Sequence, residues 1–363
     1  MQQIISDRRA LHRIPELDRQ LDKTMAYLRG SLSPLRCALS SPIPGSLCAY
    51  FDNGAESTLA FRSDADALPV QEETGLPHAS EHPGRMHACG HDGHMAMLLE
   101  LARRLDRLRA NRNFLLIFQP AEETTGGAKD ICESGIFQGK NIEAIFGMHL
   151  WPELPLGIIA SRANEMMARS CELTVEIRGK ASHIAKAAQG IDALLAGAEF
   201  VRRTKQIEDD WPDGVFRLVR FGRMESGSVR NAISDRTLLQ GTLRAFQDEV
   251  FFSILGRLKR MAGEISAETG CSISIHTTEG FPAVMNPPGL CERVKASGIS
   301  YTELPLPAMT AEDFSWYQQF LPGMFFFLGC GPCPALHNGC FDFDEAALLA
   351  GADFLEKLAI NYK

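Results

Sequence analysis

Nowhere does the chain hold an apolar run of roughly 18 residues, the length a membrane helix needs, so no span is expected. Its first residues, MQQIISDRRALHRIPELD, lack the apolar segment of a secretory signal, and a cytoplasmic location is the expectation. Excess basic charge is missing too. Lys and Arg total 37 against 45 Asp and Glu, a formal net charge of -8, which speaks against a protein held to nucleic acid through phosphates. There are no internal repeats and no low-complexity tracts.

What remains is an ordinary globular composition, 45% hydrophobic and 23% charged. A chain of 363 residues exceeds what one core usually serves and suggests two domains. There are ten cysteines. Without a signal they read as reduced thiols. Cys37, Cys48, Cys132, Cys171, Cys271 and Cys291 are scattered and fit the role of small hydrophobes. Cys89 differs because of its neighbours.

The first 160 residues alternate helices and strands: a helix over 17–32, strands over 58–64, 113–120 and 143–150, and a helix over 94–110 with Leu98, Leu101, Leu105 and Leu108 on one face. The tail repeats the pattern, with a strand over 324–329 and a helix over 344–360. Continuous apolar strands between helices predict an α/β sheet buried on both faces. The middle of the chain reads differently. In CELTVEIRG, Leu173, Val175 and Ile177 alternate with Glu172, Thr174 and Glu176. A helix (190–207), two strands (214–223, 236–246), a long helix (248–268) and a strand (271–278) follow. That β-α-β-β-α-β order predicts a ferredoxin-like domain, covered by helices on one face. The expected boundaries are 1–165 and 279–363 for the outer domain and 166–278 for the inserted one.

Polar residues gather just after the outer domain's strands, where ligands bind in open α/β sheets. TLAFRSD leads into DADALP, FLLIFQP into AEE, EAIFGMH ends at His149, and MFFFLG leads into the loop carrying His337. MHACGHDGH (86–94) packs three His, one Cys and one Asp into nine residues. Borderline metals such as zinc take sulfur, nitrogen and oxygen ligands together. Beside Glu122, Glu123, His149 and His337, this cluster points to a metal site. The tandem Glu122–Glu123 could divide the roles of ligand and free carboxylate, although acids at a helix start are also favoured by the helix dipole alone. CGPC (330–333) admits a dithiol redox reading, but Pro334 and LHNG follow where a thioredoxin-type motif would open a helix.

In order, RRALHRIPELD, FRSDADALP, MHACGHDGH, FQPAEE, GMH, GKASH, GTLRAF, AEDF and LHNGCFDFDE resemble the aminoacylase and hippurate-hydrolase branch of the metallo-amidohydrolase/carboxypeptidase superfamily, which includes the plant auxin-conjugate hydrolases. The resemblance covers nearly the whole chain. It implies a mixed-sheet α/β catalytic domain with an inserted ferredoxin-like α+β lid domain through which the protein forms a homodimer. It also implies two divalent metal ions per subunit, Mn or Zn with Co or Ni as alternatives. Cys89, His91, Glu123, His149 and His337 match the ligands, Cys89 as the bridging one, and Glu122 matches the general base. Asp66 matches an aspartate that orients a ligand histidine. His183 matches a lid histidine that reaches the partner subunit's site, and Asn231 and Arg244 match residues that hold the substrate carboxylate. The activity implied is hydrolysis of N-acyl amino acids, with dipeptidase or carboxypeptidase action as the runner-up. Two departures stand out. The segment between FFFLG and LHNG is short and carries CGPC, and GKASHIAKAAQG has Lys186 and Ala187 where a proline is common. A thiol hydrolase using Cys89 would leave Glu122, Glu123, His149 and His337 without roles, and a non-catalytic dithiol protein would have no use for Glu122 and Arg244.

Overall fold

A computed structural model describes residues 2–108 and 110–363. The chain divides into two compact units. One comprises the chain up to Met166 with Val284–Pro307 and Glu312–Lys363; the other comprises Met167–Ala283 with Ala308–Ala311.

The first unit is built on an eight-stranded mixed sheet. Its centre is parallel: Asn113–Gln119, Thr58–Asp64, Ile142–Pro155 and Gly323–Gly331 lie side by side in that order. Antiparallel strands flank it, with Leu47–Phe51 on Asn113–Gln119 and Ile159–Ser161 on Gly323–Gly331. Every residue of Thr58–Asp64, Asn113–Gln119 and Gly323–Gly331 is buried. That is why these strands read as unbroken apolar runs. Phe61, Phe114, Phe118, Phe146 and Phe326 form the core with Leu98, Leu101 and Leu105 of the helix His91–Arg107. Each such side chain contributes about 1.5–3 kcal/mol by leaving water. The helix expected over 94–110 starts three residues earlier, so His91 sits in its first turn; Arg109 lies outside the described residues. The helix expected over 17–32 is Asp22–Leu32, and a further helix, Gln2–His12, precedes it.

The second unit carries a four-stranded antiparallel sheet in the order Arg217–Ser226, Arg236–Ala245, Arg169–Arg178, Ser272–Thr277. Cys171, Leu173, Val175 and Ile177 are buried, whereas the intervening Glu172, Thr174 and Glu176 are not. The buried face packs on Phe200 of the helix Ala193–Asp209 and on Ile254, Leu258 and Ile265 of Asp248–Thr269. Asp192 caps the first of these helices by accepting from Leu194 and Leu195 N–H. This is the ferredoxin-like arrangement. No described helix is long and apolar enough to cross a membrane.

Candidate metal centre

Strand register brings the polar residues to one level. Asp64 lies opposite Gln119, Arg62 opposite Gly147, and Phe327 opposite His149. Just beyond, Gly90 turns the chain between Cys89 and His91 with φ of 83°. A Cβ there would come within 2.8 Å of Leu150 Cδ1, so this close approach to the neighbouring strand requires glycine. Ala121 (φ 61°) and His337 (φ 65°) also adopt left-handed backbone. Such strain in non-glycine residues gathers where geometry matters more than local comfort. Here one residue precedes Glu122 and the other is itself a candidate ligand.

The imidazoles are oriented by main-chain carbonyls. His91 donates from Nδ1 to Asp66 O at 2.7 Å, and His149 donates from Nδ1 to Leu150 O at 2.7 Å. A carbonyl accepts only, so each ring must carry its hydrogen on Nδ1 and leave the Nε2 lone pair free. His149 Nε2 faces Cys89 Sγ at 3.4 Å. His91 Nε2 is buried and has no hydrogen-bond partner. Burial, with His94 nearby, drives His149 down to about 3. Burial likewise pushes His91 below the ordinary histidine range, although Asp64 and Glu123 pull the other way. Both rings are therefore neutral, the form that binds metals.

The carboxylates complete the cluster. Asp66 uses its two oxygens to accept Glu122 N–H at 2.9 Å and Glu123 N–H at 3.1 Å. It thus orients His91 through its carbonyl and the glutamate pair through its carboxylate, which stays 3.9 Å from His91 Nδ1. Glu123 Oε1 lies 3.4 Å from His337 Nε2 and 3.7 Å from His91 Nε2, yet makes no hydrogen bond. Burial opposes ionisation of Glu123, but His337 and His91 bring it below the usual range. Burial, with Glu312 and Glu123 nearby, holds Glu122 well above that range. Burial, with Glu123 and Glu122 nearby, pushes the Cys89 thiol up.

Donor atoms of Cys89, Glu123 and His337 lie within 4.8 Å of one another, as do those of His91, Glu122 and Glu123. A buried thiol, neutral imidazoles that turn their Nε2 lone pairs to the cluster and an unpaired carboxylate oxygen make a chemically mixed donor set that fits borderline divalent cations. A cation would also offset the carboxylates and replace the thiol proton.

Several residues here carried no role in the sequence reading. His94 donates to Asp64 Oδ1 at 2.7 Å and accepts Leu150 N–H at Nε2 at 2.9 Å. Its ring meets His149 edge to face at 4.5 Å. The buried Arg62 binds Asp64 at 3.0 Å, Glu312 at 3.0 Å and Asp313 at 2.7 Å. Asp313 in turn takes Gln119 Nε2 and the N–H groups of Gly127 and Ala128, bracing the segment that carries Glu122 and Glu123. FRSD and AEDF were visible as motifs, but only three-dimensional pairing assigns them this bracing.

His183, Asn231 and Arg244 lie in the second unit. His183 is exposed, pairs with Ala232 in a two-stranded ribbon, and accepts Ala185 N–H at Nδ1. The adjacent Asn231 carbonyl accepts Ile184 N–H at 2.9 Å. Arg244 is half-buried and donates to Met309 O at 2.8 Å. No carboxylate among the described residues pairs with it.

Comparison with known proteins bears on this chemistry. Residues 60–361 match the model of peptidase family M20/M25/M40. An N-acetyldiaminopimelate deacetylase of Streptococcus uberis is 35% identical over 361 residues, covering 96% of each chain. An uncharacterised hydrolase of Staphylococcus haemolyticus is 32% identical over 99% of this chain and 98% of its own. The crystal structure of a Bacillus subtilis protein, described as a dinuclear metal-binding peptidase of the M20 family, superposes with a TM-score of 0.85 at 30% identity, covering 99% of this chain and 97% of that one. The chain belongs to peptidase family M20/M25/M40 and is a hydrolase acting on amide bonds.

Proposed function

We propose that this hydrolase removes the acyl group from N-acyl amino acids, with two divalent ions held by Cys89, His91, Glu123, His149 and His337. The observation that carries the reading is the pair of imidazoles, His91 and His149, each tied through Nδ1 to a carbonyl and presenting Nε2 beside Cys89 and the unpaired Glu123 oxygen. When bound, the ions supply Lewis acidity, lowering the pKa of water and polarising the scissile carbonyl. Glu122 removes a proton from the attacking water and returns it to the departing nitrogen. Its raised proton affinity suits a group that must hold that proton between the two steps. Asp66 fixes the backbone of both glutamates, so the base and its neighbouring ligand keep separate positions.

Arg244, which has no carboxylate partner among the described residues, pairs with the α-carboxylate of the substrate, helped by Asn231. His183 steadies the developing oxyanion. It does so from a partner subunit, in a homodimer formed through the inserted unit. Exposed apolar residues on that unit, including Leu195 (65% exposed) and Val229 (58% exposed), suit such an interface. The deacetylase relative acts, by its name, on an N-acetylated amino acid, which favours acyl removal over peptide cleavage.

The test is a panel of N-acetyl, N-benzoyl and long-chain N-acyl amino acids with dipeptides, each assayed after chelation and reloading with Mn, Zn, Co or Ni. Turnover should vanish on chelation, return with metal, and favour N-acyl amino acids. Faster cleavage of dipeptides throughout would replace the reading with a peptidase, and full activity in metal-free protein would remove it.

A further inference from the structure

The Cys-x-x-Cys segment lies where the strand Gly323–Gly331 leaves the sheet, on the chain leading to His337. Cys330 is in the strand and 2% exposed, while Cys333 lies in the following loop, partly exposed. Their sulfurs are 3.7 Å apart, in hydrogen-bond contact. Among the described residues no other two thiols share a hydrogen bond. Cys340 is exposed and has no thiol partner of this kind. One accessible thiol and one buried thiol in contact with it make the arrangement that a two-step exchange needs.

We propose that Cys330 and Cys333 form a redox modification site, which takes small neutral or cationic disulfides as oxidants and closes to an intramolecular disulfide. The Cys333 thiolate attacks one sulfur of the oxidant R–S–S–R. A Cys333–S–S–R bond forms, and the oxidant's own bond breaks to release RS⁻, which takes a proton from water. The Cys330 thiol then gives its proton to solvent base, attacks the Cys333 sulfur and expels the second RS⁻. The protein loses two hydrogens and two electrons, and the oxidant is reduced to two thiols.

The surroundings select the oxidant. Glu153 and Asp342 are the charged groups facing the pair. Asp342 shares its charge with Arg8 at 2.7 Å, whereas Glu153 forms no ion pair among the described residues. Burial, with the neighbouring Cys333 sulfur and then Glu153, pushes the Cys330 thiol up; burial, with Asp342 and Glu153, does the same to Cys333 against a hydrogen bond from Cys330. An anionic oxidant is therefore disfavoured, and the exchange quickens as pH rises.

The experiment exposes the folded protein to cystamine, 2-hydroxyethyl disulfide or oxidised glutathione at pH 7, 8 and 9, followed by alkylation, intact mass and peptide mapping. The expected product is about 2 Da lighter than the reduced chain, as two lost hydrogens require, with Cys330 linked to Cys333. Its formation should accelerate with pH, and cystamine should outpace oxidised glutathione by roughly ten-fold on electrostatic grounds. Cys333→Ser should abolish the product, and Cys340→Ser should leave it unchanged. Circular dichroism confirms that both variants fold. A mixed disulfide that persists on Cys333 without closure, a crosslink between any other cysteines, or fastest reaction with oxidised glutathione would overturn the proposal.

Discussion

At the scale of single residues, His94 is the group whose part was least visible in sequence. MHACGHDGH offers three histidines, and spacing alone does not say which of them bind metal. The difference lies in tautomer. His91 and His149 spend Nδ1 on carbonyls and turn Nε2 to the cluster, where His91 Nε2 has no partner and His149 Nε2 meets the Cys89 thiol, whereas both nitrogens of His94 are engaged, one with Asp64 and one with Leu150 N–H. The Leu150 peptide therefore links two rings: its N–H reaches His94, and its C=O holds His149. This makes His94 a positioning residue for His149, and the prediction follows from side-chain shape. Gln places its terminal amide near the Nε2 position and can still accept Leu150 N–H; Asn places its amide near Nδ1 and cannot. His94→Gln should stay close to wild type in metal affinity, and His94→Asn should lose roughly 10–100-fold, the usual cost of removing a group that supports a ligand. Calorimetric titration of the chelated protein with Mn or Zn measures this without an activity assay. Equal losses in the two variants would mean that ring volume, not the Leu150 contact, is what matters. Asp66 teaches the same lesson. A motif can flag the aspartate, but only the fold reveals that it meets His91 by its carbonyl and the glutamates by its carboxylate.

At the scale of elements, the central strands were legible because two-sided burial leaves an unbroken apolar run, and the inserted sheet because one-sided burial leaves alternation. The helix Gln2–His12 was harder to read for a physical reason: its inner face carries charge. Asp7, Arg8 and His12 are buried along with Ile4 and Leu11, which spoils the apolar stripe. Asp7 pairs with Arg103 at 2.6 Å, while Arg8 and His12 share Asp92 in the first turn of the helix His91–Arg107, at 2.9 Å and 2.8 Å. This clamp predicts a pH dependence of stability. Burial disfavours charge on His12, but Asp92 and Glu72 outweigh it and raise its pKa to about 9 from 6.5. A pKa raised on folding stabilises the native state fully below the unfolded value; the contribution declines between about 6.5 and 9 and is gone above 9. The size is about 3 kcal/mol by the usual conversion, a single sum shared with Asp92. Chelated wild-type protein should therefore lose its advantage over His12→Gln as pH rises from 6.5 to 10, measured by urea unfolding. A stability difference that stays constant across that interval would show that His12 is not charged in the folded protein.

At the scale of the whole molecule, the candidate residues are distributed over two units. The candidate metal residues all belong to the first unit, and His183, Asn231 and Arg244 to the second. In the sequence, the period of burial changes between the outer segments and the inserted one. Nothing in local spacing records which subunit a side chain serves. If His183 acts on the partner subunit's site, two-fold symmetry makes the exchange reciprocal, and complementation tests it. Glu122→Gln and His183→Ala proteins, each inactive alone, are mixed and allowed to exchange subunits. In each mixed dimer one site receives both lesions and the other receives neither. Random exchange makes half of the dimers mixed, so recovered activity should approach about one quarter of wild type under two-fold symmetry. Mass spectrometry under native conditions verifies that exchange has occurred. If mixed dimers form and no turnover returns, His183 serves its own subunit or has no part in the reaction.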